Sequence, residues 1–521
     1  MTALSPFWLA EAIAGDPYAG GGPAATAGDG RVAGRARAAG GERGRKAAGL
    51  LLRAHEALLG RRTFALADRL MRTQWQAPAW LEAGQLAGLR RLVDHARAEC
   101  PYYRRLGLSV GRAATLADAL ARLPLLSRRQ LRRHACAMRA AGAPGRILTG
   151  YTHGTFDEPL RFYWDRTRQA WDKANRLRGH AWHRLGPGDR ELHLWPVDPP
   201  RNLGGRLRQR LCERRDELAG EMQIDSLTCL GTRLAQEWAR WRTFRPARVT
   251  SYPSALAEFI RAGRAAGCRM PPRSPCTIFL TGEVTFDWQR ALMERELGAV
   301  TRQCYGVQEI GAVAFECRQG RWHLCAESVI VEILRDGRPA APGELGEIVV
   351  TGLASRAMPM IRYCTGDLVR AEPARPCPCG RSLPEMPAVL GRAADFLEAA
   401  DGRWVPPQEV VAALAGVLDD GSWQVRQDAD GGLELQARVP GGRDAAARQE
   451  AVRRLEGLMG RPGRCAVQAA AGLGRTAFGK CRYVKSERTT GGLAQIDGAG
   501  PGRRWQQDPT IARGRPASRP A

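Results

Sequence analysis

The chain has 521 residues, 44% of them hydrophobic, enough for two or more domains and at least one large core. No run is apolar enough to span a membrane, and MTALSPFWLAEAIAGD lacks the basic-then-apolar layout of a signal peptide, so a cytoplasmic protein is expected. The net charge of +26 does not single out nucleic acid: of 79 basic residues only Lys46, Lys173, Lys480 and Lys485 are lysine, and arginine is scattered through every segment instead of forming one stripe.

Residues 1–47 read as a flexible Gly/Ala/Arg-rich segment. Over residues 48–98 the pattern is helical, with Leu50, Leu51, His55, Leu58 and Leu59 on one face. Ser127, after Pro124, is a candidate helix N-cap. GRILTGYTHGTFDEPLRFYWD (145–165) runs from one β-like stretch through a Thr/Gly-rich turn into another. Backbone N–H groups and hydroxyls there can hold phosphate oxygens, and an ordinary hairpin fits equally well. ELHLWPV is a strand, and residues 203–246 read as helical and very basic. RVTSYPSALAEFIRAGRAAG and TIFLTGEVTFDWQRALMEREL each give strand, turn, helix, and AVTRQCYGVQE adds a further strand and turn. Such alternation predicts a mostly parallel sheet with SYPS, TGE and YGVQE at strand carboxyl ends, where ligands sit.

In TRQCYGVQEIGAVAFEC a β-prone run ends at Cys304, a Tyr305-Gly306 turn follows, and Glu309 stands among apolar neighbours. Tyr305 offers an aromatic face to a base, Gly306 a backbone without Cβ, and Glu309 a carboxylate for a hard cation such as Mg²⁺; a glutamate ion-paired with an arginine is the plainer alternative. Residues 327–351 turn antiparallel. Asp367, after a Thr-Gly pair, suits a ribose diol or a simple Asx turn. A fresh strand–helix pattern begins near Leu390, dividing the chain into a large domain (48–390), a small domain (391–486) and a disordered tail (487–521). Lys480, in a Gly-flanked loop, is one of the few lysines in a chain that otherwise uses arginine.

Fourteen irregularly spaced cysteines fit a reducing compartment better than a disulfide framework. Cys317 and His323, with Cys377 and Cys379 some way downstream, suit one tetrahedral structural zinc, with Cys325 in reserve; buried free thiols are the alternative.

YGVQEIGAVAFEC, AMPMIRYCTGD, CPCGRSLP, LGRAADF and GRTAFGK occur in an order that resembles the phenylacetate–coenzyme A ligase family of adenylate-forming enzymes, over roughly residues 90–485. The resemblance implies an α/β fold: a large domain with mixed, mostly parallel sheets and a smaller mobile α+β domain hinged near Asp395. It implies that a carboxylic acid attacks the α-phosphate of ATP, giving an acyl-adenylate that a thiol, usually coenzyme A, converts to a thioester and AMP. An amine, sugar or carrier-protein thiol as acceptor, or a zinc-stabilised non-catalytic homologue, are the alternatives. By motif, Glu309 would hold Mg²⁺, Tyr305 and Gly306 would flank adenine, Asp367 would bind the ribose hydroxyls beside Arg392, and Lys480 would neutralise charge at the α-phosphate. Glu283, in TGE, fits the same nucleotide site. Of the family's phosphate loop only Thr149, Thr152, Gly154 and Pro159 align, and Gln308 stands where a hydroxyl usually precedes the metal-binding glutamate. Oligomeric state is left open, a homodimer among the options.

Overall fold

The inner parallel strands Glu191–Trp195, Arg248–Ser251 and Thr277–Leu280 of the central sheet are four or five residues of nearly continuous burial, as expected of strands covered on both faces. In the computed structural model the described residues are 41–142, 147–152, 160–197, 202–268, 276–437, 444–469, 473–476 and 479–488. Among them, an eight-stranded sheet runs in the order Glu385–Met386, Trp322–Leu324, Gly311–Glu316, Val300–Val307, Thr277–Leu280, Arg248–Ser251, Glu191–Trp195, Glu221–Asp225. The last five strands are parallel and the first three turn antiparallel. Arg248↔Thr277 and Thr277↔Val300 align, so the strands start level; Arg248–Ser251 and Thr277–Leu280 also end level, and Val300–Val307 runs on past them. The SYPS, TGE and YGVQE segments therefore leave the same edge side by side.

A second sheet is antiparallel throughout and carries Val329–Arg335, Leu345–Gly352, Met360–Arg370 and Val389–Arg392. Asp367 lies inside the long strand Met360–Arg370, directly opposite Arg392. The preceding Gly366 has φ +78° and lies in the register shift between Glu347↔Leu368 and Val349↔Cys364. A residue with a Cβ would be strained there, and the kink re-aims the Asp367 side chain.

The N-terminal helices pack on these sheets through one continuous core that contains Leu89, Tyr103, Leu131, Phe315 and Tyr363. Helix Arg128–Met138 starts with a capping box: Gln130 N donates to Ser127 Oγ (3.2 Å) and Ser127 N donates to Gln130 Oε1 (2.8 Å). The cap fixes Arg128 as the first helical residue.

After Arg392 a short turn, Ala393–Asp395, leads to a four-stranded sheet around Trp423–Gln427, backed by helices Pro407–Leu414 and Asp444–Met459. Its core includes Trp423, Leu435, Leu455 and Tyr483, together with Phe286 from the large domain.

Several expectations change. Residues 41–47, read as flexible, form the first turns of helix Gly41–Leu58. The stretch 203–246 is interrupted by strand Glu221–Asp225, an edge strand whose alternation is masked by the basic helices on either side. The strand from Val300 runs on to Val307, with a bulge at Tyr305–Gly306, so the turn is made by residues 308–310. Glu487 and Arg488, placed in the tail, still pack: Glu487 N donates to Gln427 O (2.9 Å) and Arg488 pairs with Glu398 (2.6 Å). Gly154 and Pro159 lie outside the described residues.

Candidate active site

Strand pairing places Asp367 and Arg392 in register, and Arg392 Nε lies 3.4 Å from Asp367 Oδ1. The other carboxylate oxygen accepts a hydrogen bond from Tyr305 OH at 2.7 Å. Tyr305 belongs to the central sheet and Asp367 to the second sheet, so this bond ties the two sheets at one point. Burial, with the adjacent Asp367 carboxylate, pushes the Tyr305 hydroxyl well above its ordinary range, so it remains a donor.

Glu309 is 5% exposed and its Oε1 is engaged twice: by Tyr363 OH (2.9 Å) and by Arg128 Nη1 (3.5 Å). The arginine-paired reading of Glu309 thus describes its present partner. Arg128 Nη2 also donates to Thr152 Oγ1 (3.2 Å), and Thr152 Oγ1 accepts from Leu160 N (3.1 Å). One guanidinium therefore bridges the Thr/Gly-rich hairpin and the acidic turn. Thr149 is exposed, on the strand Leu148–Tyr151 that pairs with Arg161–Trp164. The hairpin reading of this segment is thus realised on its described flanks. The Gln308 amide donates to Tyr151 O (3.2 Å), on the same hairpin. Gly306 is exposed, and an added Cβ would lie 3.1 Å from Gly311 O, so a larger residue would press the neighbouring strand.

Lys480 enters from the small domain. Its Nζ donates to Gly282 O (2.8 Å) and sits 4.6 Å from the centre of the Tyr252 ring. Burial lowers the ammonium below its ordinary 10.5; Glu283 opposes that shift, Arg392 adds to it, and Asp367 opposes it more weakly. Arg392 in turn feels Asp367 first and, more weakly, Asp395 and Glu309. Lys480, Asp367, Arg392 and Glu309 therefore share one electrostatic neighbourhood. Gly282 has φ +77°, and a Cβ there would come within 2.6 Å of the Tyr252 ring and 3.4 Å of Lys480 Nζ. Only glycine lets the lysine approach this carbonyl. Glu283 receives Ser254 N (3.0 Å) and Ser254 Oγ (2.9 Å), closing the start of helix Pro253–Ala265; burial raises its carboxyl.

Cys317, His323, Cys377 and Cys379 come together, with all four donor atoms within 4.8 Å of one another. Cys317 Sγ and Cys377 Sγ are 3.8 Å apart, and Cys379 Sγ is 3.2 Å from His323 Nε2. Zinc–sulfur bonds of about 2.3 Å in a tetrahedron space sulfurs about 3.8 Å apart, so the donor set fits zinc. His323 Nδ1 faces Leu383 O at 3.2 Å, which directs Nε2 to the thiols. Cys325 is outside the set. The loop is anchored by Arg381, which stacks over Trp75 (5.2 Å) and Trp182 (4.8 Å) and donates to Gln74 Oε1 (3.1 Å).

Arg128 and Ser254 were not read from the sequence as site residues. Arg128 lies 181 positions before Glu309, among many other arginines. Ser254 had a local signal, its place in SYPS at a strand end.

No family model matches the chain. The chain is 32% identical over 181 residues to the phenylacetate–coenzyme A ligase of Thermus thermophilus, a match spanning 33% of this chain and 40% of that ligase. Among solved structures, 2-hydroxyisobutyryl-CoA ligase in the postadenylation state in complex with R3-HIB-AMP gives a TM-score of 0.65 at 20% identity, covering 80% of this chain and 92% of that one. The same ligase with 2-HIB-AMP and CoA in its thioesterification state gives 0.52 at 22% identity, covering 80% and 92%. The fold is that of 2-hydroxyisobutyryl-CoA ligase. The sequence likeness is to phenylacetate–coenzyme A ligases, as the expected resemblance has it, although the chain matches less than half the length of the Thermus ligase.

Proposed function

We propose that the protein is an AMP-forming acid–thiol ligase that activates a carboxylic acid with ATP and passes the acyl group to coenzyme A. The observation that carries this reading is the position of Lys480. The only lysine described in the cleft is brought by the small domain to the carboxyl edge of the parallel sheet, in the field of Asp367 and Arg392.

Asp367 has an acceptor pair held by Tyr305 and Arg392, suited to the two ribose hydroxyls, and Tyr305 and Gly306 offer a face for adenine. The acid's carboxylate attacks the α-phosphorus, pyrophosphate leaves, and negative charge builds between the reacting groups. The Lys480 ammonium stands where it can offset that charge without reorganising, the usual source of rate in nucleotidyl transfer. The coenzyme A thiol then attacks the acyl carbon and AMP leaves. Mg²⁺ would supply charge neutralisation on the phosphates, with Glu309 as its carboxylate; Mg²⁺ is content with one or two carboxylates because it keeps water and phosphate oxygens as its other ligands. Thr149, Thr152 and Gln308 border the phosphate side, and Glu283 fixes the turn that receives Lys480.

Zinc at Cys317, His323, Cys377 and Cys379 would be structural, since all four positions are protein donors. One equivalent per chain is expected by metal analysis. Chelation should also change the fluorescence of Trp75 and Trp182, which stack on Arg381 beside the loop. A metal-free protein with unchanged emission and melting would remove zinc from the account.

Among the described residues no helix is long and apolar enough to cross a membrane. The fourteen free cysteines support a reducing, cytoplasmic setting. The domain limits, 48–390 and 391–486, are part of the same proposal, extended at the start to residue 41 by the observed helix.

The test is pyrophosphate release from MgATP across a panel of aryl, alkyl and hydroxy acids, with and without coenzyme A. Lys480→Ala should abolish release while nucleotide binding persists. Unchanged release in that variant would refute the assignment. An acceptor other than coenzyme A would show as adenylate formation without thioester.

A further inference from the structure

The described residues of the loop that carries Lys480, 475–476 and 479–481, pair as the base of a hairpin. Arg475 and Cys481 pair across its base, Thr476 N donates to Lys480 O (3.0 Å), Gly479 N donates to Thr476 O (2.8 Å), and Lys480 N donates to Thr476 Oγ1 (3.2 Å). Its internal bonds set its shape, but its position on the large domain needs contacts across the cleft. Two of these involve main chain: Lys480 Nζ to Gly282 O, and Cys481 N to Ser254 Oγ (3.2 Å).

The third joins two side chains. Arg475 forms an ion pair with Glu258, on helix Pro253–Ala265, one turn beyond Ser254. The same guanidinium donates through Nη1 to Gly479 O (2.8 Å), next to Lys480. One side chain thus grips the hairpin next to the lysine with one nitrogen and the large domain with another. Helix Pro253–Ala265 is itself tied at its start to the Gly282–Glu283 turn, because Ser254 donates twice to Glu283. Glu258, Ser254 and Gly282 therefore form one rigid platform under the hairpin.

We propose that the Arg475–Glu258 pair is a positioning clasp that seats the Lys480 hairpin on this platform for adenylation. Arg475 is a positioning residue: it acts through Gly479 and the hairpin. The two side chains are about one-third exposed, 32% and 30%. A pair so placed shifts the population of seated hairpin by a modest factor and does not decide whether the domain folds. The ATP contacts assigned to Asp367 and Glu309 lie elsewhere, so the clasp should act on turnover and not on nucleotide affinity. The proposal rests on the ligase reading for its rate consequence, and on geometry alone for its structural one.

The experiment compares wild type with Glu258→Gln, Glu258→Asp, Arg475→Gln and the charge-swapped pair Glu258→Arg/Arg475→Glu. Trypsin cuts after Lys480, so its rate of cleavage there, without any substrate, reports how well the hairpin is seated. Glu258→Gln and Arg475→Gln should each speed cleavage about two- to fivefold and lower kcat for pyrophosphate release by a similar factor, with KM for ATP unchanged. Glu258→Asp and the swapped pair should restore both toward wild type. Unchanged cleavage in the two glutamine variants would overturn the clasp, as would a swapped pair no better than either single change. A fall in melting temperature large enough to account for the cleavage would also overturn it, by showing a general loss of structure. If wild type releases no pyrophosphate with any acid, the ligase reading fails, while cleavage and charge-swap rescue still decide the clasp.

Discussion

At the end of the cleft assigned to ribose, Asp367 and Arg392 face each other in paired strands and Tyr305 closes over them; at the end assigned to phosphate, Glu309 draws its partners from a distant helix. The first group is set by strand register within one sheet and a single bond to the other. The second is assembled from a capped N-terminal helix, an antiparallel hairpin and a turn, with Tyr363 beneath. A site built on register is rigid from the moment the sheet forms. A site built across separate elements depends on a cation from a third element, here Arg128, whose side chain is 27% exposed. On the proposed reading, the guanidinium that holds Glu309 would have to shift or share it with a metal-bound triphosphate.

The largest expected effect falls on the phosphate side. Glu309→Gln keeps the shape and the Tyr363 contact but removes the charge proposed to hold the metal, so kcat for pyrophosphate release should drop about 10²- to 10³-fold. A loss under threefold would mean that another group holds the metal.

The next is a stability effect beneath the ribose side. Glu347 is 4% exposed, accepts Gly366 N at 2.8 Å, and is pushed up to about 7 chiefly by burial. Its folded pKa lies above its unfolded value of 4.5, so the native state holds the proton more tightly. Stability is therefore lost as pH rises from 4.5 through about 7, by roughly 3 kcal/mol when complete. Glu347→Gln should remove that slope. Parallel pH–stability curves for the two proteins would show that Glu347 titrates normally.

Asp367→Asn should then weaken ATP about tenfold, the worth of a charge-assisted hydrogen bond, without changing kcat in proportion. Equal effects on deoxy-ATP and ATP would break the ribose assignment. Smallest is Arg128: Arg128→Gln should raise KM for MgATP about three- to tenfold, with Arg128→Lys in between. If Arg128→Gln instead tightened MgATP, the arginine would be a competitor of the metal and not its neighbour, and the contrast between the two ends would sharpen.

A related pH effect concerns turnover. Burial holds the Lys480 ammonium below 10.5, so release that needs the charged form should begin to fall on the alkaline side before that pH. An alkaline limit unmoved in Lys480→Arg would assign it to another group.

Much of this arrangement is written along the chain. Strand–turn–helix repeats place SYPS, TGE and YGVQE at one sheet edge, because parallel strands joined by helices must all end on the same side. The Ser127 cap and the change of sheet after Arg392 follow equally from local residue chemistry, and the close spacing within Cys317/His323 and within Cys377/Cys379 marks the two halves of a donor set that folding brings together. Other features do not, because they depend on which distant surfaces meet. Strand Glu221–Asp225 exists because Glu191–Trp195 offers it an edge, and its own five residues do not announce it. Arg128 is distinguished from its neighbours by its contacts with Glu309 (3.5 Å) and Thr152 (3.2 Å). Pairing with Arg475 gives Glu258 a purpose that its helix sequence does not show. Short-range capping and periodicity are properties of a segment and survive in one dimension; a charge finds its partner only after the chain has closed, and for that the tertiary structure alone is decisive.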